Sequence, residues 1–149
     1  ASDDQATMDD APEPQRHIGH LIRRAQQLHA AIWARETSDR ISSLQYGVLA
    51  VLDRMPGASQ KELGEEISVD RSTVAEPVTR MARGGLIARV RDGGDRRRNV
   101  LELTPEGREA LETLRPRVGR VQELLVAELA PADAAELRRL LLLVLRAEP

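Results

Sequence analysis

Arg71, Ser72, Thr73, Glu76, Thr79, Arg80 and Arg83 place hydroxyls, guanidinium groups and one carboxylate within a short stretch of chain. At 3.6 residues per turn Ser72, Glu76, Thr79, Arg80 and Arg83 gather on one polar face. Val74, Val78 and Met81 form an apolar stripe on the other. Hydroxyls and guanidinium groups bond phosphate oxygens or base edges. A carboxylate would repel a phosphate but can accept a hydrogen bond from a cytosine amino group. Glu76 also precedes Arg80 by four residues, the spacing of an ion pair along a helix, so two readings of it stand. A second basic cluster, Arg96-Arg97-Arg98, follows the turn residues Asp92-Gly93-Gly94-Asp95. Phosphates and nucleic-acid bases are the partners this chemistry fits.

The surrounding residues define elements that would hold these groups. Asp70 is suited to cap the helix that it precedes, and Gly84-Gly85 stops that helix. Leu86, Ile87 and Val90 predict a strand, the Asp-Gly-Gly-Asp turn a hairpin, and Val100 and Leu103 a returning strand. Thr104-Pro105-Glu106 opens the next helix, with Thr as cap and Pro at the first helical position. Upstream, Ser59 caps a short helix carrying Leu63 and Ile67, which makes a helix-turn-helix pair with the helix after Asp70. Before it, Ser42 or Ser43 caps a helix through Met55, with Leu44, Val48, Val51 and Leu52 inward and Pro56-Gly57 as its stop. A helix, a basic hairpin and a second helix start, in that order, are the layout of a winged helix that grips DNA.

Taken together, DRSTV at Asp70 to Val74, Gly85, Asp95-Arg96-Arg97 and Leu103-Thr104-Pro105-Glu106-Gly107 resemble the MarR family of bacterial transcription regulators. The resemblance extends over about residues 16 to 147. It implies a mainly α fold with a small β-hairpin wing, a winged helix-turn-helix with N- and C-terminal dimerisation helices. Residues 1–15, acidic, without apolar periodicity and containing Pro12 and Pro14, are expected to form a disordered arm, and 16–149 a single domain. Residues 16–38 and 105–147 are the dimerisation helices, around a winged helix at 42–104. The second helix of the pair enters the major groove by its N-terminal end, which puts Arg71, Ser72, Thr73 and Glu76 near bases and Arg80 near phosphates. The family pattern assigns the wing tip to Asp95 and Arg97. There the carboxylate can orient a guanidinium aimed into the minor groove, with Arg96 and Arg98 on phosphates. Pro77 departs from the pattern. An interior proline costs about 3 kcal/mol relative to alanine, so the helix is either kinked or shortened there, or tolerates the proline where it leaves the groove.

Outside this segment the helical period continues. Ile18, Leu21, Ala25, Leu28 and Ile32 predict a helix from Arg16 to about Thr37. Leu111, Leu114, Val118, Val121, Leu124, Leu125 and Leu129 predict another to about Glu128, bent or interrupted at Pro116. The last helix, from Pro131, is apolar from Leu140 to Leu145 around most of its circumference and needs a partner; a two-fold homodimer is the simplest one. The first helix, from His20 to Trp33, is similar to a subgroup of the family that senses aromatic carboxylic acids of the protocatechuate or hydroxycinnamate type. His29 and Trp33 lie one turn apart and can line one cavity or simply fill the core. Arg23 lies farther round. It would bind an effector carboxylate or make a surface ion pair, with Arg24 as its competitor.

Composition bounds the remaining possibilities. The chain has 149 residues and a net charge of −2, yet residues 68 to 98 carry eight arginines against four acids. A basic patch on an acidic body docks DNA in one orientation and repels it elsewhere. Absent cysteine rules out disulfides, thiolate metal sites and thiol redox sensing in this chain. No run reaches the roughly 20 apolar residues of a membrane span, and the charged start does not resemble a signal peptide, so a cytoplasmic protein is expected. His17, His20 and His29 share one predicted helix, and no HExxH, nucleophile elbow or phosphate loop occurs. Neither catalysis nor a metal or other cofactor is expected. The functions left are a repressor released from a pseudo-palindromic operator by a small aromatic acid, and a constitutive or architectural DNA-binding protein without effector.

Overall fold

Serine caps set two of the helix starts. Ser42 Oγ accepts from the Gln45 amide at 3.2 Å while the Gln45 side chain accepts from the Ser42 amide at 3.0 Å. Ser59 and Glu62 repeat the arrangement at 3.1 and 3.2 Å. These reciprocal boxes satisfy backbone N–H groups that have no intrahelical partner. In the computed structural model, residues 10–38, 40–68, 71–91 and 99–146 are described, Arg71 by its backbone. The helices among them are α1 (Ile18–Glu36), α2 (Ser43–Arg54), α3 (Gln60–Glu66), α4 (Arg71–Arg83), α5 (Pro105–Leu125) and α6 (Pro131–Leu145). Strands β1 (Ile87–Arg91) and β2 (Asn99–Leu103) lie between α4 and α5. The chain forms two compact units, Glu36–Val118 and Ala1–Arg35 with Gly119–Pro149.

The core of the first unit combines Val48, Leu49 and Leu52 of α2, Leu63 of α3, Val74, Val78 and Met81 of α4, Ile87 and Leu101 of the hairpin, and Leu111 and Leu114 of α5. The predicted stripe on α4 is therefore the buried one. Strands β1 and β2 pair antiparallel, from Ile87 opposite Leu103 to Arg91 opposite Asn99. The link between α2 and α3 adds a short third edge, with Gly57 N–H bonded to Leu101 O at 3.0 Å and Leu101 N–H to Ala58 O at 2.8 Å. Gly57 does this at φ +84°, a conformation that glycine adopts freely.

Helix α4 ends in a Schellman motif. Leu86 N–H bonds Met81 O at 3.0 Å, Gly85 N–H bonds Ala82 O at 3.2 Å, and Gly85 stands at φ +79°. The start of α5 is tied to this end. Thr104 N–H donates to Leu86 O at 3.1 Å, and Thr104 Oγ1 donates to Gly85 O at 2.5 Å and accepts from Gly107 N–H at 3.0 Å. Thr104→Ala removes both side-chain bonds and is expected to cost about 1 kcal/mol, read as a lower denaturation midpoint at unchanged m-value.

Of the outcomes open at the two prolines, those that end the helix do not occur. Helix α4 is not shortened at Pro77 but continues to Arg83. Pro77 supplies no amide hydrogen to the helix and is buried on the same side as Val74, Val78 and Met81. Pro116 does not end the first segment of α5, which runs on to Leu125; the residue is exposed, so the carbonyl left without an amide partner can be solvated. Helix α5 does stop short of Glu128, because beyond Leu125 the bonds turn to shorter loops, such as Leu129 N–H to Val126 O at 3.0 Å. Ser42, rather than Ser43, is the cap of α2.

In the second unit Ile32 and Trp33 of α1 are buried, while Ile18, Leu21, Ile22 and Leu28 are exposed. Helix α6 buries no residue. Every residue from Leu140 to Leu145 is 41% to 71% exposed, an apolar surface left uncovered among the described residues. On the same helix Arg139 donates bonds of 2.9 and 2.5 Å to Glu136, which hold that carboxyl below the usual carboxylate range.

Candidate nucleic-acid interface

Burial of Val74, Val78 and Met81 turns the other side of α4 outward. Ser72, Thr73, Glu76, Arg80 and Arg83 are all exposed, with Thr79 half-buried at the edge. The polar face predicted from spacing is thus assembled on one helix surface. Glu76 Oε1 meets Arg80 Nε at 3.1 Å, so of its two readings the unit contains the ion pair. Both side chains are about two-thirds exposed or more, 67% and 72%, and an ion pair this hydrated is weak enough to be exchanged for another partner. Arg71 begins the helix, and its side chain lies outside the described residues, as does the expected cap Asp70.

The hairpin rises from beside this helix. Arg91 and Asn99 form its last described pair. The expected wing-tip residues Asp95, Arg96, Arg97 and Arg98 lie outside the described residues.

Two groupings were not visible from spacing. Arg89 of β1 donates to Gln60 Oε1 of α3 and Thr79 Oγ1 of α4, both at 3.4 Å. Asp53 of α2 accepts from Arg108 at 2.6 Å on one oxygen and from Arg115 at 2.7 Å on the other, joining α2 to α5 across 55 and 62 residues of sequence. The only trace of the second is that Arg108 and Arg115 are seven residues apart, two turns on one face. Next to Asp53, Arg54 pairs with Glu66 of α3. Ionic contacts thus join the C-terminal end of α2 to both α3 and α5.

The residues expected to meet a ligand divide. His29 and Trp33 of α1 come together with ring centres 6.0 Å apart and planes at 58°, Trp33 buried and His29 half-buried. Arg23 is exposed and lies 3.0 Å from His20 Nδ1, one turn nearer the N-terminus, rather than beside that pair. Arg24 is exposed as well. His17 faces Glu13 at 3.4 Å. No helix among the described residues is long and apolar enough to cross a membrane.

A helix-turn-helix whose second helix presents a polar outer face and runs directly into an antiparallel hairpin is a winged helix, a class built to bind duplex DNA. The chain belongs to the MarR family of transcription regulators: the family pattern matches residues 41–98, and a repressor 31% identical aligns over 91% of the chain. The HTH-type transcriptional repressor NicR of Pseudomonas putida is 31% identical over 138 residues, 91% of this chain and 87% of NicR. The PcaV transcriptional regulator of Streptomyces coelicolor, solved in complex with its natural ligand, is 40% identical with a TM-score of 0.86, over 92% of this chain and 97% of PcaV. BpsR of Bordetella bronchiseptica, whose DNA binding is regulated by 6-hydroxynicotinic acid, is 27% identical with a TM-score of 0.86, over 93% of this chain and 99% of BpsR.

Proposed function

We propose that this regulator is a dimeric repressor, released from a pseudo-palindromic operator when a small aromatic carboxylic acid binds. The observation that carries the reading is the exposed face of α4, with its apolar stripe locked in the core and the hairpin beside it. Arg71, Ser72, Thr73 and Glu76 read bases in the major groove, Arg80 holds a phosphate, and Asp95 to Arg98 form the wing that enters the minor groove. Residues 42–104 are the DNA-binding part, and 16–38 and 105–147 the dimerisation helices. The uncovered apolar surface of α6 supports that division, since two copies related by a two-fold axis would bury it. NicR, a repressor, and BpsR, which responds to a hydroxylated aromatic acid, support repression and the class of effector. The effector lies against His29 and Trp33 in a pocket built from several helices or from both protomers, the arrangement in which Arg23, which does not sit beside that pair, supplies a fork for its carboxylate. The protein acts in the cytoplasm and catalyses no reaction.

Trp33 is the chain's single tryptophan and reports from the proposed site. Titration with a panel of hydroxylated benzoic, cinnamic and nicotinic acids is expected to quench its fluorescence saturably with at least one of them. Weaker binding of that acid in Arg23→Ala assigns the carboxylate to Arg23, and unchanged binding moves it to Arg24. No response across the panel would replace effector-controlled repression with constitutive DNA binding.

A further inference from the structure

Arg89 is the third residue of β1, exposed, and its guanidinium spans the two helices of the helix-turn-helix pair. Gln60 Oε1, at the first residue of α3, and Thr79 Oγ1, at the edge of the polar face of α4, each accept from it at 3.4 Å. Among the described residues these partners are both neutral, whereas Arg80, on the same face as Thr79, has its charge offset by Glu76. Arginine holds five donors in one plane, so two long bonds to neutral oxygens orient the group and leave donors and a full positive charge available.

We infer that Arg89 is a phosphate contact of the DNA complex, aimed by Gln60 and Thr79 at the backbone running past α3 and α4. The inference rests on the DNA-binding reading above. A phosphate oxygen offers Arg89 an acceptor that is itself charged, so an ion pair, bidentate where the fork allows it, replaces the long bonds to neutral oxygens that Arg89 makes in the free protein. The contact grips the backbone and carries no sequence information, in contrast to the base-reading role assigned to Ser72 and Thr73.

The test uses the whole chain and a random-sequence duplex of about 30 base pairs, with affinity followed by fluorescence anisotropy against salt concentration. Wild type is expected to bind with a steep salt dependence. Arg89→Gln is expected to bind several-fold more weakly at low salt, with a log–log slope shallower by about 0.9 per protomer. Arg89→Lys keeps the charge and is expected to keep the wild-type slope. An unchanged slope in Arg89→Gln, or a shallower one in Arg89→Lys, overturns the assignment while leaving DNA binding intact. Absence of salt-dependent binding in wild type overturns the DNA-binding reading itself. Far-UV circular dichroism confirms that each variant is folded.

Discussion

Gly107→Ala is expected to lower stability by about 2 kcal/mol, although it places a better helix former in the first turn of α5. A Cβ on Gly107 would run into the carbonyl oxygen of Leu86. That oxygen cannot step aside cheaply. It accepts from Thr104 N–H at 3.1 Å, it lies in the Schellman turn that ends α4, and it belongs to backbone rather than to the tip of a flexible side chain. Alanine in a helix is worth about 1 kcal/mol over glycine, whereas forcing a methyl into a closed contact costs about 3, so the steric effect wins. For a chain of this length the difference corresponds to a fall of about 6 °C in Tm at fixed protein concentration. Gly119→Ala, in the same helix with nothing within 4 Å of its would-be Cβ, is the control and is expected to raise Tm. Equal effects of the two substitutions would contradict the close approach. The motif Leu-Thr-x-x-Gly thereby acquires a physical cause: Thr104 caps the helix, and only a residue without a side chain lets that helix start against the end of α4.

Ser72→Ala combined with Thr73→Ala is expected to weaken specific operator binding by about 100-fold while leaving the fold intact. Both residues are exposed in the first turn of α4, the part of a recognition helix that meets base edges. A good bidentate base contact is worth about 1–3 kcal/mol and a single hydroxyl less; about 0.7 kcal/mol from each of the two hydroxyls in each of two half-sites amounts to about 2.8 kcal/mol, or about 100-fold. Binding to a random duplex depends on phosphate neutralisation and is expected to change by no more than about twofold. Competition of labelled operator with both duplexes separates the contributions. Equal losses on the two duplexes would mean that these hydroxyls hold phosphates and that the bases are read elsewhere.

Much of the winged helix was legible in the chain because its signals are local. Ser42, Ser59 and Thr104 each cap through a neighbour three residues on, and Val74, Val78 and Met81 mark the buried side of α4 by spacing alone. What spacing did not disclose depends on residues far apart in sequence. The edge pairing of Ala58 with Leu101, the Asp53 contacts with Arg108 and Arg115, and the Arg89 bridge all join side chains or strands that only the folded chain brings together. The alternatives left open for the prolines were not separable from the sequence for a related reason. The cost of proline inside a helix is intrinsic, but whether the helix ends there depends on the tertiary setting, and Pro77, buried, and Pro116, exposed, both lie in helices that continue past them. The proposed ligand group was half legible: the spacing of His29 and Trp33 did predict their meeting, whereas the contact of Arg23 with His20, open to the same argument because the two are three residues apart on one helix, was not among the partners expected for Arg23.

The most direct test is anisotropy of a labelled duplex from the DNA flanking the protein's own gene, titrated with protein in the presence and absence of the aromatic acid that quenches Trp33. Tight, salt-sensitive binding is expected, weakened about tenfold or more by the acid, within the usual range of coupling between an effector site and a DNA site. Failure to bind any duplex from that region, even at low salt, would contradict the assignment of the α4 face and the hairpin to operator DNA.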